Sequence, residues 1–370
     1  MSIATFSFPT RVLYGPGAID RVPEELANRK MSKPMLVTDG GLVNTPTIER
    51  LRRLVPHAVI FSAVDPNPTE KNVLDGIACY VENRCDSIIA VGGGSPIDAA
   101  KAIRLKATHP LALAEYDDNI GGDAKITSNL PPFIAVPTTA GTGTEVGRST
   151  VITLTATNRK TVIFSPYLIP DLAIVDPELT VSMPPKITAG TGMDAFTHNV
   201  EAYLAKGLHP ICDAIALGGT QIVYEHLPHV MRSPRDIESR GQMMIAAMMG
   251  AIAFQKGLGA VHSLAHPLSS EFGMHHGTSN AVLLPVVLEF NREAVPDRFE
   301  TLRRHLGKDI GVCTRELNEI CGISPGLRDY GIPADALPDL ADKAMQDGCH
   351  ALNPRPCTRE TMLQLYQTAW

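Results

Sequence analysis

Residues 257–280, reading GLGAVHSLAHPLSSEFGMHHGTSN, hold four of the chain's twelve histidines: His262, His266, His275 and His276. His262 and His266 are four apart in a segment of helical composition, so both imidazoles project from one helix face. Asp194 and His198 repeat that spacing upstream, in GTGMDAFTHN. One carboxylate and several imidazoles displayed from two helices can converge on one divalent cation. Mixed nitrogen and oxygen donors suit iron(II), zinc or manganese, whereas calcium and magnesium prefer oxygen alone. A lone histidine on an apolar helix is more often a packed or surface residue, and two pairs at ligand spacing bring the two accounts level.

A different chemistry is written in SIIAVGGGSPIDAAK, residues 87–101, which reads as a strand, a glycine turn and a helix start. Gly92, Gly93 and Gly94 allow backbone N–H groups to approach a ligand closely. Ser95 is placed to be the N-cap and Pro96 the first helical residue. The open helix end then attracts an anion such as a pyrophosphate. The run is not the G-x-G-x-x-G fingerprint, and a tight strand-to-helix turn explains it equally well. PTTAGTGTE, residues 137–145, follows the next strand, with small hydroxyl residues and glycines that can pack against a flat ring. Asp39 closes the strand that starts at Met35. A carboxylate there accepts from an adenosine ribose and repels a 2′-phosphate, which predicts NAD(H) over NADP(H). The alternative is a turn carboxylate before Gly40 and Gly41.

Short β-branched runs beginning at Met35, Ala58, Ile88, Phe133 and Leu172 alternate with helical segments and are bounded by Asp, Pro or Gly. Unbroken apolar runs of this length read as strands buried on both faces, hence a mostly parallel sheet covered by helices. VITL from Val151 and TVIF from Thr161, joined through Asn158, Arg159 and Lys160, predict a hairpin added to that sheet, or else an irregular loop. After Met183 the strand-like runs nearly vanish and long helical patterns take over, at 194–204, 213–226 and 240–254. The apolar segment from Met243 predicts a buried central helix. Pro184 and Pro185 break helix on both sides and mark a boundary. The expected architecture is an α/β, Rossmann-like nucleotide-binding domain over 1–183 and an all-α, metal-binding domain over 184–370.

The 370 residues exceed a typical single domain, and 44% hydrophobic with 19% charged content describes an ordinary globular protein. A net charge of −6 without a basic run argues against a nucleic-acid partner. No apolar stretch reaches membrane-spanning length, and MSIATFSFPTRVLYG lacks the pattern of a secretory signal. Seven scattered cysteines without a C-x-x-C pair read as free thiols, which places the protein in the cytoplasm.

The residues flanking these motifs carry a resemblance. Gly190 to Glu201, then GLGAVHSLAHPL, then HGTSNA resemble the signatures of the iron-containing (group III) alcohol dehydrogenases, a family that includes lactaldehyde reductases and 1,3-propanediol dehydrogenases. The resemblance runs to the closing YQTAW, residues 366–370. It implies Asp194, His198, His262 and His276 as ligands of Fe2+, with Zn2+ acceptable to the same set. It implies His266 as a non-ligand near the substrate that relays the alcohol proton. His275 has no counterpart, and Ser269 stands where relatives usually have glycine. Gly93, Gly94, Ser95 and Asp98 match the family's pyrophosphate loop. Thr138, Thr139, Thr142, Asn67, Lys160 and Val151 match cofactor-side positions. Ser149 and Phe254 match pocket positions, with Val151 on the same wall. Lys256 either recognises a substrate carboxylate, as in a 4-hydroxybutyrate dehydrogenase, or points to solvent. The reading is an NAD(H)-linked oxidoreductase of small primary alcohols and aldehydes, a homodimer by family habit, with its site in the cleft between the domains. A lyase like dehydroquinate synthase shares the architecture but not the ligand pattern. A metal-stabilised scaffold without activity is the remaining alternative.

Overall fold

The computed structural model describes residue 8 and residues 10–157 and 159–370. Most of the stretch read for a secretory signal, and Asn158 in the hairpin turn, lie outside the described residues. Among the described residues the chain divides into two compact units: one of residues 10–139 together with Gly143–Ser182, the other of Met183–Trp370 together with Ala140–Thr142 and Phe8.

The first unit is built on six parallel strands: β1 (Arg11–Tyr14), β2 (Pro34–Asp39), β3 (Val59–Val64), β4 (Ser87–Gly92), β5 (Phe133–Pro137) and β8 (Leu172–Val175), in the order β1-β8-β5-β4-β2-β3. Its helices are α1 (Val22–Asn28), α2 (Pro46–Leu54), α3 (Glu70–Glu82) and α4 (Gly94–Lys106). Because strand side chains alternate faces, each apolar run feeds two cores. Met35, Val37, Ile88 and Ala90 pack with α3 and α4 on one face. Leu36, Ile89, Val91 and Ile134 pack with α1 and α2 on the other. The edge strands depart from that rule. β3 is only partly buried, and β1, half-exposed and four residues long, carries too little apolar signal to be read from sequence.

The chain leaves β2 for β3 on one side and returns to β4 on β2's other side, so the winding reverses between β2 and β4. Ligands of open α/β sheets sit at the carboxyl ends of strands at such a reversal. Asp39 ends β2 and Gly92 ends β4, on either side of it. β6 (Ser149–Leu154) and β7 (Arg159–Phe164) do pair as a hairpin, but as a separate two-stranded sheet, not an extension of the first. Hydrogen bonds to α4 hold it instead: Thr150 Oγ1 donates to the Asp98 carbonyl at 2.7 Å and the Val151 amide to the Asp98 carboxylate at 3.1 Å.

The second unit is helical: α5 (Pro185–Leu204), α6 (Pro210–Arg232), α7 (Ile237–Ala253), α8 (Ala260–Phe272), α9 (His276–Arg292), α10 (Pro296–Leu306), α11 (Ile310–Ile320), α12 (Leu337–Ala344) and α13 (Arg359–Ala369). Pro184 and Pro185 do not break helix on both sides as expected. They begin α5, with Pro185 in the first turn, where a missing N–H costs nothing. α7 buries Met243, Met244, Ala246 and Ala247, in keeping with its all-round apolar sequence. Among the described residues no single helix is long and apolar enough to cross a membrane, and α7 with α8 reaches the required length only across a 111° bend.

Candidate metal centre and nucleotide loops

Three helices, not two, supply the donors. Asp194 and His198 sit one turn apart on α5, His262 in the first turn of α8, and His276 at the first position of α9. α5 and α9 are drawn together where a Cβ on Gly277 would lie 2.0 Å from the Gly190 carbonyl oxygen. No larger residue allows that approach, which is why a glycine follows His276. One ligating atom from each of Asp194, His198, His262 and His276 lies within 4.8 Å of all the others, and three of the four residues are buried. Asp194 Oδ1 is 3.6 Å from His276 Nε2 and 3.9 Å from His198 Nε2. The His198 and His262 rings stack with centroids 4.7 Å apart. His275, by contrast, caps the N-terminus of α9 and packs against Gly190.

Burial pushes the His198 pKa down to about 4, so its ring is neutral at pH 7 and keeps its lone pair. Burial also works to lower that of His262, but the carboxylates of Glu201, Asp194 and Asp347 together raise it. Glu201 is a partner that the motifs did not flag. Its Oε2 accepts from His262 Nδ1 at 2.6 Å and its Oε1 from the Val261 amide at 2.8 Å. A proton fixed on Nδ1 leaves Nε2 as the ligating atom. Three histidines and a carboxylate, with the ring tautomer set from behind, fit a divalent metal of the iron or zinc type.

His266 stays out of the cluster. Its ring stacks on His276 at 5.3 Å, and its Nδ1 bonds Asp347 Oδ2 at 2.7 Å. Asp347 also accepts from Ser263 Oγ at 2.7 Å and the Cys349 amide at 2.9 Å. Burial opposes its charge, yet His266 and these donors hold its carboxyl well below the usual range. His266, Asp347 and Cys349 also gather ligand-type atoms. These groups already satisfy one another, and burial pushes the Cys349 thiol up, so they form a hydrogen-bonded dyad with a neutral neighbour.

Lys256 follows neither sequence expectation. It is buried, with Nζ donating to the Tyr203 carbonyl at 2.8 Å and paired with Asp213. Arg298 shares both partners. Its charge is spent inside the helical unit and reaches neither a substrate carboxylate nor solvent. Phe254 sets its ring 5.2 Å from His198.

In the α/β unit, Gly92 and Pro137 are paired in register, and the Thr138 amide donates to the Gly92 carbonyl at 2.9 Å, so the two loops lie side by side. Gly92 has φ +152°, and a Cβ there would meet Pro96 at 2.5 Å. The N-cap of α4 is Gly93, not Ser95, and no side chain caps the helix. Ser95 instead hydrogen-bonds the Pro66 carbonyl. The glycine can take the extended cap conformation, and the first-turn N–H groups stay open to an anion. Gly94 opens α4, Thr139 is partly buried beside Gly93, and Asn67 is exposed. Thr142 is exposed in the short segment that groups with the helical unit.

Asp39 Oδ1 accepts from the Gly41 and Leu42 amides at 2.8 and 2.9 Å, the turn role, which leaves Oδ2 for a further donor. Asp98 is buried and internally engaged: Thr144 Oγ1 donates to it at 2.6 Å. Lys101, fully buried, donates to the carbonyls of Thr144, Gly147 and Ser149. Lys160 lies on β7 with its pKa lowered by burial. Ser149 and Val151 lie on β6.

The comparisons with known proteins decide the family. Residues 9–177 match the iron-containing alcohol dehydrogenase model, and residues 188–370 the C-terminal model of the same family. The chain belongs to the iron-containing alcohol dehydrogenase family. It is 42% identical to a 4-hydroxybutyrate dehydrogenase of Cupriavidus necator, over 92% of each chain. Against a 1,3-propanediol dehydrogenase of Klebsiella pneumoniae it is 36% identical over the whole of both. The crystal structure of a 1,3-propanediol oxidoreductase superposes with a TM-score of 0.93 at 36% identity, covering 99% of this chain and 100% of that one. A sulfoacetaldehyde reductase of Bifidobacterium kashiwanohense in complex with NAD+ gives 0.92 at 28% identity, covering 100% and 99%. The parallel sheet and helical half are those of the family, and the chain is an alcohol/aldehyde oxidoreductase.

Proposed function

We propose that this enzyme interconverts small primary alcohols and aldehydes with NAD(H), using one divalent metal held by Asp194, His198, His262 and His276. The observation that carries the reading is the convergence of these four side chains with His262 oriented by Glu201. Bound there, Fe2+, or Zn2+ in its place, supplies Lewis acidity toward the alcohol oxygen. The chain's own part is to keep the His198 ring neutral by burial and to hold the His262 ring in place through Glu201. His266, with Nδ1 held by Asp347, presents Nε2 as the proton relay. The pyrophosphate is received by Gly93, Gly94, Ser95 and the loop at Thr138, Thr139 and Thr142, with Asn67, Val151 and Lys160 as further cofactor contacts. Asp98 acts there by anchoring β6. Asp39 Oδ2 favours NAD(H), so Asp39→Gly is expected to relax the preference against NADP(H), read as the ratio of kcat/KM for the two cofactors. Ser149 and Phe254 line the substrate pocket. The enzyme works as a cytoplasmic homodimer, a reading supported by seven cysteines outside any disulfide and by family habit.

A second reading, a hydroxyacid dehydrogenase, is favoured by the 42% identity to 4-hydroxybutyrate dehydrogenase. It requires a carboxylate partner other than Lys256. NADH oxidation by anaerobically iron(II)-loaded protein separates the two. Neutral C2–C4 aldehydes are expected to be the better substrates, and a tenfold or larger preference for succinic semialdehyde, about 1.4 kcal/mol, decides for the hydroxyacid. No NADH oxidation with either removes the proposal.

A further inference from the structure

Asn280 lies one helical turn after His276, so both residues face α5 from the start of α9. It is fully buried, and its Nδ2 donates to Asp194 Oδ1 at 2.8 Å. The same nitrogen is 3.4 Å from His262 Nε2 and 3.3 Å from His276 Nε2. It therefore sits over the triangle formed by three of the four candidate ligating atoms. The Asp194 carboxylate is acceptor-only when ionised, so the nitrogen and not the oxygen of the amide must face it. The cost of that orientation is visible at the other end, where Asn280 Oδ1 is buried without a hydrogen-bond partner. The orientation is therefore set by the donor cluster and not by the carbonyl's own needs.

We propose that Asn280 is a positioning residue that fixes Asp194 and closes this face of the cluster to any further ligand. It rests on the reading of Asp194, His198, His262 and His276 as a metal site. A delocalised amide nitrogen has no lone pair to offer a cation, so it fills the space among the donor atoms without joining them. Water, a hydroxyl or a carboxylate in its place would add a ligand. The group that limits coordination here is thus a donor-only end of a neutral side chain, and changing its chemistry at constant size should change the metal's environment.

The test compares Asn280→Asp and Asn280→Leu with the unaltered protein, each loaded with cobalt(II). Visible absorption, competition with a chelator, and melting temperature with and without metal are measured. Asn280→Leu removes the bond to Asp194 and should weaken metal binding by roughly 10–100-fold. Asn280→Asp places an oxygen ligand over the face and, without metal, a second carboxylate beside Asp194. It should act in the opposite direction: at least about tenfold slower loss to chelator, by the same scale, and a wider gap between the two melting temperatures. Its cobalt absorption should weaken as the coordination number rises. Should the leucine variant fail to fold, Asn280→Val removes the same donor with less bulk and without a hydroxyl. Both variants shifting affinity in one direction, or an unchanged cobalt spectrum in the aspartate variant, overturns the role of Asn280 alone. Less than one cobalt per unaltered chain overturns the metal reading and this inference with it.

Discussion

Both halves of the chain bury charged side chains, and they use them in opposite ways. In the helical half, carboxylates sit behind imidazoles: Glu201, buried, on His262 and Asp347, partly buried, on His266. Each holds one ring nitrogen and so frees the other for chemistry. In the α/β half, Asp98 and Lys101 bind loop hydroxyls, amides and carbonyls, and through them shape the backbone. What that half offers a ligand is main-chain N–H groups and small hydroxyls. A buried charge is thus functional where it points at a group that must be tuned, and structural where it points at backbone. The distinction predicts which substitutions change activity and which change stability.

The largest effect should follow removal of a cluster member. His262→Ala leaves three donors and takes from Glu201 Oε2 its ring partner. Loss of Lewis-acid assistance worth several kcal/mol corresponds to roughly a thousandfold in kcat, with metal content falling in parallel. Retention of one tightly held metal and near-normal turnover would place the chemistry elsewhere.

Glu201→Gln comes next. It keeps the shape and a hydrogen bond to the ring but withdraws the charge that fixes the proton on Nδ1. A loss of roughly 10–100-fold in metal affinity is expected, read by chelator competition, with little change in KM for NADH. A change in KM for NADH without a change in metal affinity would contradict the division of labour between the halves.

How much of this was legible depends on distance along the chain. Asp194, His198, His262 and His276 announce themselves through i,i+4 spacing and a following glycine. Glu201 and Asn280 carry a comparable signal, since Glu201 is seven residues from Asp194 and Asn280 four from His276, each on the same helix face. They are not legible as such because each acts on a ligand through a hydrogen bond, and helix-face spacing alone does not show which polar side chain bonds which. Asp347 is 81 residues from His266, and no local pattern could join them. Four of the five apolar runs gave their strands because burial on both faces leaves few alternatives, and the fifth, β3, kept enough apolar residues to be read although it is only partly buried. The half-exposed β1 did not. The cap of α4 lies at Gly93, two residues before Ser95, since a glycine cap and a glycine turn read alike in sequence. Lys256 misled because a lysine near a metal helix suggests a substrate partner, while Asp213 lies 43 residues away.

A smaller effect should separate the halves by pH. Burial raises the Glu145 pKa to about 7. The folded protein therefore keeps a proton that the unfolded chain releases between the ordinary carboxylate value and 7. Stability falls as pH rises through that window and is flat above it. Glu145→Gln removes the titration, so its advantage over the unaltered protein should grow by about 1–2 kcal/mol between pH 5 and pH 8 in denaturant unfolding. An equal pH dependence in both proteins would mean that Glu145 is ionised and paired, as charges in the helical half are.

The smallest expected effect on catalysis is none, and it is the most discriminating. Lys256→Met preserves the stem and removes an ammonium that binds Asp213 and the Tyr203 carbonyl. If that charge is structural, the ratio of kcat/KM for succinic semialdehyde to that for a neutral C4 aldehyde should stay the same. The melting temperature should fall, because a largely buried carboxylate is left to Arg298 alone. A drop in that ratio of tenfold or more would show that the lysine leaves its partners to meet the substrate. It would then be a buried charge of the helical half serving both purposes, and the rule drawn from the two halves would fail at the residue nearest to testing it.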